Sequence, residues 1–189
     1  MKSIGDRRSE IYDFFHTNMA CKEYFFAHEA EYVAYYNSMY LLQDSTESLH
    51  HHRERGFSSD PLLAYLEFWG VMQAVIIQQD SISEIHAVIR GEALDADAKN
   101  LKSWLEVRKL RNVCAGHPAK KDRPRTKPLT RTFMGRAFGG YSAITFEQWK
   151  QGDGTTHPRV NLGALLDSYA IEAEAQLASV LAKMKSRWP

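Results

Sequence analysis

The stretch of the sequence best equipped for chemistry is RKLRNVCAGHP, residues 108–118, because it brings arginine, asparagine, cysteine and histidine together. The guanidinium of Arg111 can hold a phosphate through two parallel hydrogen bonds. The imidazole of His117 can exchange protons near neutral pH, and the negative end of a helix dipole favours its protonated form. Such a pair can cleave a phosphodiester. The imidazole handles the proton of a ribose 2′-OH or of the leaving 5′-oxygen, and the guanidinium stabilises charge on the phosphorus oxygens.

The spacing of Arg111 and His117 requires the helix to end between them. On a continuous α-helix the two side chains would lie about 120° apart around the axis and would share no face. Gly116 is a natural left-handed cap, and Pro118 disfavours the α conformation for His117. We therefore expect His117 just past the helix end, with its imidazole turned back toward Arg111. Attack by a neighbouring 2′-OH restricts the substrate to RNA and leaves a cyclic phosphate, and we expect neither a metal nor a cofactor.

Arg111-Asn112, four intervening residues and His117 resemble the motif of the HEPN superfamily, in which an arginine and a polar residue precede a histidine. HEPN domains are compact all-α bundles that generally dimerise, so that two copies of the motif form one composite site. Many are metal-independent endoribonucleases of toxin–antitoxin, abortive-infection and other defence systems. The resemblance implies that Arg111 binds phosphate, that Asn112 orients the site and that His117 is the acid/base. One branch of the family usually has a tyrosine where this chain has Ala119, which argues against modification by that branch's nucleotidyltransferase antitoxin.

A basic block follows the motif. Residues 120–136 contain seven basic residues and one acidic residue, a net charge of +6, whereas the whole chain carries +1. A dense basic segment on an otherwise mildly acidic protein favours a polyanionic partner, although a solvated loop can have the same composition. We expect RNA to contact Arg108, Lys120, Lys121 and Arg123.

The composition is typical of a soluble globular protein. The chain has 189 residues, of which 44% are hydrophobic and 25% charged, and this length suffices for one domain with its own core. Cys21 and Cys114 are too few for a disulfide framework or a zinc site, which favours a reducing cytoplasm. The N-terminal residues lack the apolar core of a signal peptide, and we expect no uncharged apolar run that could span a membrane. The prediction is a cytoplasmic protein.

The hydrophobic periodicity predicts an all-α protein, an antiparallel helical bundle of four to five helices with a small β-hairpin inserted before the last helix. We treat residues 1–189 as one domain, with the basic loop and hairpin at about 118–158. The turn of the hairpin is expected at Gly139-Gly140.

Helix boundaries follow from capping residues and spacing. The first helical segment covers residues 9–55, with a break near 18–22. Asp60 and Pro61 predict the start of a helix that ends at about Arg90, with Gly91 as its cap. A further helix begins near residue 101 and leads into the motif, and the last begins near Asn161.

Several other residues have two interpretations. Asp80, Ser83, Glu84 and His86 interrupt the apolar face of their helix and are expected to be paired structural groups or a solvated face. Alternatively, Asp80 or Glu84 lines the composite site. Cys114 is expected to be a packing residue rather than a nucleophile paired with His117. Tyr141 and Trp149 are expected in the core of the hairpin rather than stacked on bases.

Two clusters in the first helical segment are also open to more than one interpretation. The three histidines at 50–52 are expected on a solvated helix end rather than at a metal, because adjacent helical residues point in different directions. An aromatic stripe is expected to form core or a dimer seam rather than a binding face. It consists of Tyr24, Phe25, His28, Tyr32, Tyr35, Tyr36, Met39 and Tyr40.

The sequence therefore supports one leading hypothesis, a homodimeric HEPN-type endoribonuclease from a prokaryotic toxin or defence system, with RNA as substrate and an antitoxin protein as a possible partner. The competing hypothesis is a non-catalytic HEPN module that dimerises and binds RNA, nucleotide or a partner protein. A purely structural bundle would leave the motif and the basic block unexplained.

Overall fold

Helices make up most of the molecule. The computed structural model describes residues 2–96, 99–116 and 129–189. In the described residues the helices are α1 (Lys2–Thr17), α2 (Met19–Ala27), α3 (Glu29–Arg55), α4 (Pro61–Arg90), α5 (Lys102–Arg111) and α6 (Leu162–Arg187), with a π-helical turn at Asn112–Gly116.

Short strands lie between the π-helical turn and α6. They are β1 (Thr130–Phe133), β2 (Gly139–Gly140), β3 (Ala143–Thr145), β4 (Glu147–Lys150), β5 (Gly154–Thr156) and β6 (Arg159–Val160). They pair in two antiparallel sheets with strand orders β1-β4-β5 and β2-β3-β6. The sequence predicted one β-hairpin before the last helix, whereas the structure has two three-stranded sheets there.

The predicted turn at Gly139-Gly140 was wrong by two residues. Gly139 and Gly140 form β2 itself and pair with Ile144 and Ala143, so that the chain reverses at Tyr141-Ser142. Gly139 has a φ of +103°, and a Cβ there would collide with the carbonyl oxygen of Ala143. Glycine is required at this position by the close approach of a neighbouring strand, not by the turn.

The capping residues of α4 and the start of α6 were predicted correctly. The carboxylate of Asp60 accepts hydrogen bonds from the backbone N–H groups of Leu62 and Leu63, and Gly91 ends α4 in the left-handed conformation. The side chain of Asn161 accepts from the N–H of Ala164 at the start of α6. These side chains satisfy backbone donors that the first helical turn leaves free.

The first helical segment is divided twice rather than once. Asn18 makes the expected break, because its side chain caps α2 by accepting from the N–H of Cys21 and donating to the carbonyl of Trp188. A second break occurs at His28, whose ring is hydrogen-bonded to the carbonyl of Tyr24 at 2.7 Å. Neither proline nor glycine marks this second break. Across this break Tyr35 of α3 packs against Phe25 of α2, with ring centroids 4.9 Å apart.

The core lies between the long helices. α3 packs along α4, and α6 contacts α1, α4 and α5. By length and composition alone, α4 is long and apolar enough to cross a membrane. Core helices of soluble proteins have the same composition, and Phe68, Met72 and Val75 of α4 are buried within this molecule.

Candidate functional site

The motif lies where α5 changes into the π-helical turn. Trp104, Val107 and Leu110 bury one face of α5, and Cys114 continues that buried face into the turn. Asn112 is exposed. The sequence predicted an uninterrupted helix up to a cap at Gly116, whereas the α-helix ends at Arg111. Single π-helical turns are uncommon and occur frequently at functional sites.

Arg111 is held by two neutral side chains. One of its terminal nitrogens donates to Oδ1 of Asn112 at 3.2 Å, and the other donates to Oε1 of Gln73 on α4 at 3.0 Å. Within the described residues these contacts use two of the five guanidinium donors. The guanidinium is therefore fixed between α4 and the turn while donors remain for a ligand.

Gln73 was not identified from the sequence. It lies 38 positions before Arg111 in the chain, and its contact with the guanidinium exists only because α4 and α5 pack together. One signal was present in the sequence. Gln73 continues the i, i+4, i+7 spacing of Leu62, Leu66 and Trp69 on a single face of α4.

Arg108 is engaged differently. Its guanidinium forms an ion pair with Asp80 of α4, and the two side chains are 40% and 61% exposed. A pair this exposed contributes little to stability and can be exchanged for another anion. The structure thus brings Arg108, Asp80, Gln73 and Arg111 to adjoining positions of α4 and α5. It gives Asp80 the paired role that the sequence suggested.

The remaining predicted site residues, His117, Lys120, Lys121 and Arg123, lie outside the described residues, as does most of the basic block. The structure therefore locates Arg111, Asn112 and Arg108 of the predicted set.

Cys114 is a packing residue. Its side chain is buried, and burial raises the pKa of its thiol to about 12. The thiolate is the nucleophilic form of cysteine, and it is scarce near neutral pH at such a pKa. The Cys-His nucleophilic alternative is therefore disfavoured.

An exposed apolar surface on α4 leads to the site. Leu62, Leu66 and Trp69 are 55%, 59% and 39% exposed, and we call them the α4 stripe. Their spacing puts them on the helix face that continues to Gln73, the residue that holds Arg111. An apolar surface of this kind is typical of a protein interface.

A cleft of about 300 Å³ lies on the other side of α5. Its walls include Leu110, Val113, Phe146 and Leu165. Lys109, at its rim, lies about 160° from Arg111 around the axis of α5, so this cleft is not part of the Arg111 site.

A second polar cluster corrects the interpretation of the three histidines. His50 and His51 are exposed, but His52 is largely buried, with its Nδ1 2.8 Å from the hydroxyl of Tyr141 and its Nε2 3.5 Å from Oε2 of Glu67. Burial lowers the pKa of His52 and raises that of Tyr141 to about 12. This cluster joins α3, α4 and the strand segment, since His52 lies on α3, Glu67 on α4 and Tyr141 between β2 and β3.

Across the part of the chain that the structure describes, no group of three or more histidine, cysteine, aspartate or glutamate side chains could hold a metal ion. Comparison with protein-family models, with curated proteins and with solved structures gives no match.

Proposed function

We propose that this protein is a homodimeric, metal-independent endoribonuclease of the HEPN type that acts in the cytoplasm within a prokaryotic toxin or defence system. In this proposal residues 1–189 form one antiparallel HEPN-like bundle, with the segment at about 118–158 inserted before α6. An antitoxin protein would then be a natural partner.

The observation that carries the proposal is the way in which Arg111 is held. Arg7, Arg53, Arg55 and Arg108 each pair with a carboxylate. Within the described residues, Arg111 has amide partners only. A neutral acceptor orients a guanidinium without neutralising it, so the full positive charge remains for a phosphate.

The chemistry follows from the residue types. A nitrogen of His117 would take the proton from a ribose 2′-OH, and that oxygen would attack the adjacent phosphorus. The 5′-oxygen leaves with a proton from an imidazole, and the cyclic phosphate remains on the other fragment. Arg111 would stabilise the charge on the non-bridging oxygens, and Asn112 would keep its guanidinium in position. Arg108, Lys120, Lys121 and Arg123 would bind the RNA backbone.

The α4 stripe supports dimerisation. It presents exposed apolar side chains at the edge of the Arg111 site, and a second copy that covered it would bring two Arg111 side chains toward one cleft. An interface with twofold symmetry uses the same surface of both subunits, as this arrangement requires.

The test is incubation of a mixed single-stranded RNA with purified protein in excess EDTA. Wild type, His117→Ala, Arg111→Ala and the control Arg159→Ala, an exposed arginine on β6, are compared. We expect cleavage by wild type and by the control only, leaving 2′,3′-cyclic phosphate ends.

Three other results would contradict the proposal. Equal cleavage by all four proteins would mean a contaminant or a different site. Cleavage that EDTA abolishes would mean a metal-dependent reaction. RNA that is retained but left intact by all four would mean the non-catalytic HEPN module.

A further inference from the structure

A second surface, distant in sequence from the motif, carries exposed tyrosines. We call it the tyrosine face and define it as Tyr12 of α1 with Val33, Tyr36, Tyr40 and Leu41 of α3. These side chains are between 39% and 49% exposed. The aromatic stripe predicted from the sequence is therefore divided, because its Phe25, Tyr35 and Met39 point into the core while Tyr36 and Tyr40 face solvent.

The rings of the tyrosine face are held in a fixed arrangement. The centroids of Tyr32 and Tyr36 are 5.8 Å apart, and those of Tyr36 and Tyr40 are 4.7 Å apart. The hydroxyl of Tyr36 donates to that of Tyr40 at 3.1 Å. Tyr32 in turn stacks on buried Phe15. Rigid exposed tyrosines give a large contact area at little cost in side-chain entropy, which is why they are enriched in binding surfaces.

The chain around the tyrosine face is acidic even with Arg7 and Arg8 included. Residues 2–49 carry eight acidic residues and four basic ones, a net charge of −4. Asp44 and Glu47 are exposed and extend the tyrosine face along α3, since they follow Tyr40 by four and seven residues. This charge opposes a nucleic acid, and it also opposes a second copy of the same face.

An arginine already contacts this surface within the chain. The guanidinium carbon of Arg8 lies 4.9 Å from the ring centroid of Tyr12. A cation above the face of an aromatic ring is attracted by the ring electrons, and arginine also stacks through its flat guanidinium. The contact shows that the geometry around Tyr12 accepts a guanidinium.

We propose that the tyrosine face binds an arginine-rich segment of another protein. Guanidinium groups of that segment stack on Tyr36 and Tyr40, and Asp44 and Glu47 attract them through charge. The inference does not depend on the ribonuclease proposal, because it uses neither Arg111 nor any residue near it.

The test measures fluorescence anisotropy with a fluorescein-labelled peptide of alternating arginine and glycine, and with the matching lysine peptide. We expect the arginine peptide to bind more tightly than the lysine peptide. Two cation–π contacts at exposed sites predict that Tyr36→Ala combined with Tyr40→Ala weakens binding about tenfold. Asp44→Asn is expected to weaken binding by about threefold, an effect that salt should reduce.

Two control variants separate the tyrosine face from the general properties of the protein. Phe133→Ala removes an aromatic side chain that is 64% exposed on β1, and Glu84→Gln removes an exposed carboxylate on α4. Both should leave the affinity for the arginine peptide unchanged. Circular dichroism and the melting temperature of each variant establish that it is folded.

The proposal is overturned if the arginine peptide does not bind, if the tyrosine double variant binds it as wild type does, or if the lysine peptide binds equally well. A second copy of this chain is the other molecule that could cover the tyrosine face, and sedimentation of the double variant tests for it. A change of oligomeric state caused by Tyr36→Ala and Tyr40→Ala would assign this face to a second copy instead.

Discussion

At the scale of single residues, the amide contacts of Arg111 matter because they leave its charge uncompensated. Gln73→Glu keeps the shape of the side chain but converts a neutral acceptor into a carboxylate. We expect the variant to fold and to cleave RNA about tenfold or more slowly, since an arginine paired with a carboxylate competes poorly for phosphate. Initial rates on a labelled RNA measure the effect.

The matched control for this prediction is Gln43→Glu, which makes the same change on α3, away from Arg111. If Gln73→Glu and Gln43→Glu cleave RNA at the same rate as wild type, the contact between Gln73 and Arg111 has no part in catalysis.

His52 and His86 also allow a prediction at the residue scale. Burial lowers the pKa of both imidazoles. The unfolded chain then binds more protons than the folded one just below the ordinary histidine pKa of about 6.5, so stability rises with pH there. The neutral imidazoles of His52 and His86 make their full contribution to the free energy of unfolding above the pKa of the unfolded chain. That contribution is lost as the pH falls through the lower pKa values of the folded protein.

We therefore expect the melting temperature to fall between about pH 7 and pH 5. The double variant His52→Gln, His86→Gln should have a shallower slope, although it is less stable at pH 7. His51→Gln, an exposed histidine beside His52, serves as the control and should keep the slope of wild type. An unchanged slope in the double variant would show that other groups cause the pH dependence.

At the scale of elements, the sequence predicts what local chemistry determines. Asp60, Gly91 and Asn161 mark helix ends because their side chains or backbone conformations satisfy local backbone groups. The break at His28 has no side-chain cap for α3, and the contact made across it, Tyr35 on Phe25, is tertiary packing. No local pattern in the sequence predicts the π-helical turn at Asn112–Gly116 either.

In the candidate site, too, the sequence predicted the residues that form a local motif and missed the residue that tertiary packing brings to it. Arg111 and Asn112 were identified because they are adjacent in a short motif. Gln73 requires the packing of α4 on α5, which no pattern in residues 108–118 contains. The two interpretations of the aromatic stripe could not be separated from the sequence because Tyr35 and Tyr36 are neighbours that face opposite environments.

The α4 stripe gives the prediction that belongs to this scale. Leu66→Asp places a charge at the centre of the proposed dimer interface, and we expect sedimentation to change from dimer to monomer. The loss of cleavage should accompany the loss of the dimer. Because Leu66 is 59% exposed, the isolated subunit should keep its helical circular dichroism.

Ile171→Asp is the control for the α4 stripe, since Ile171 is 71% exposed on α6. It should remain dimeric and active. If the Leu66→Asp protein stays dimeric, the dimer interface lies elsewhere. If wild type is monomeric at the concentration of the cleavage assay, a composite site formed by two subunits is ruled out.

At the scale of the whole molecule, the net charge of +1 conceals two opposed regions. Residues 2–49 carry −4, and residues 120–136 carry +6. A polyanion and a cationic segment would therefore be attracted to different parts of one chain. The ribonuclease proposal and the tyrosine-face proposal use these two regions separately, so each can fail without the other.

The composite site leads to a prediction about pairs of subunits. Arg111→Ala and His117→Ala should each be inactive as homodimers, but a heterodimer contains one intact Arg111 and one intact His117 in the same cleft. If the two variants are unfolded together and refolded as a mixture, half of the dimers are mixed. We expect cleavage at about a quarter of the wild-type rate, because each mixed dimer keeps one of two equivalent arrangements.

Different affinity tags on the two subunits allow the heterodimer to be isolated and its RNA cleavage to be measured directly. Mixing Arg111→Ala with the double variant Arg111→Ala, His117→Ala is the control, because no pairing of those chains restores an arginine. An isolated heterodimer that is inactive would mean that Arg111 and His117 must come from the same subunit. The dimer would then be an assembly of two separate sites, and the α4 stripe would serve stability rather than catalysis.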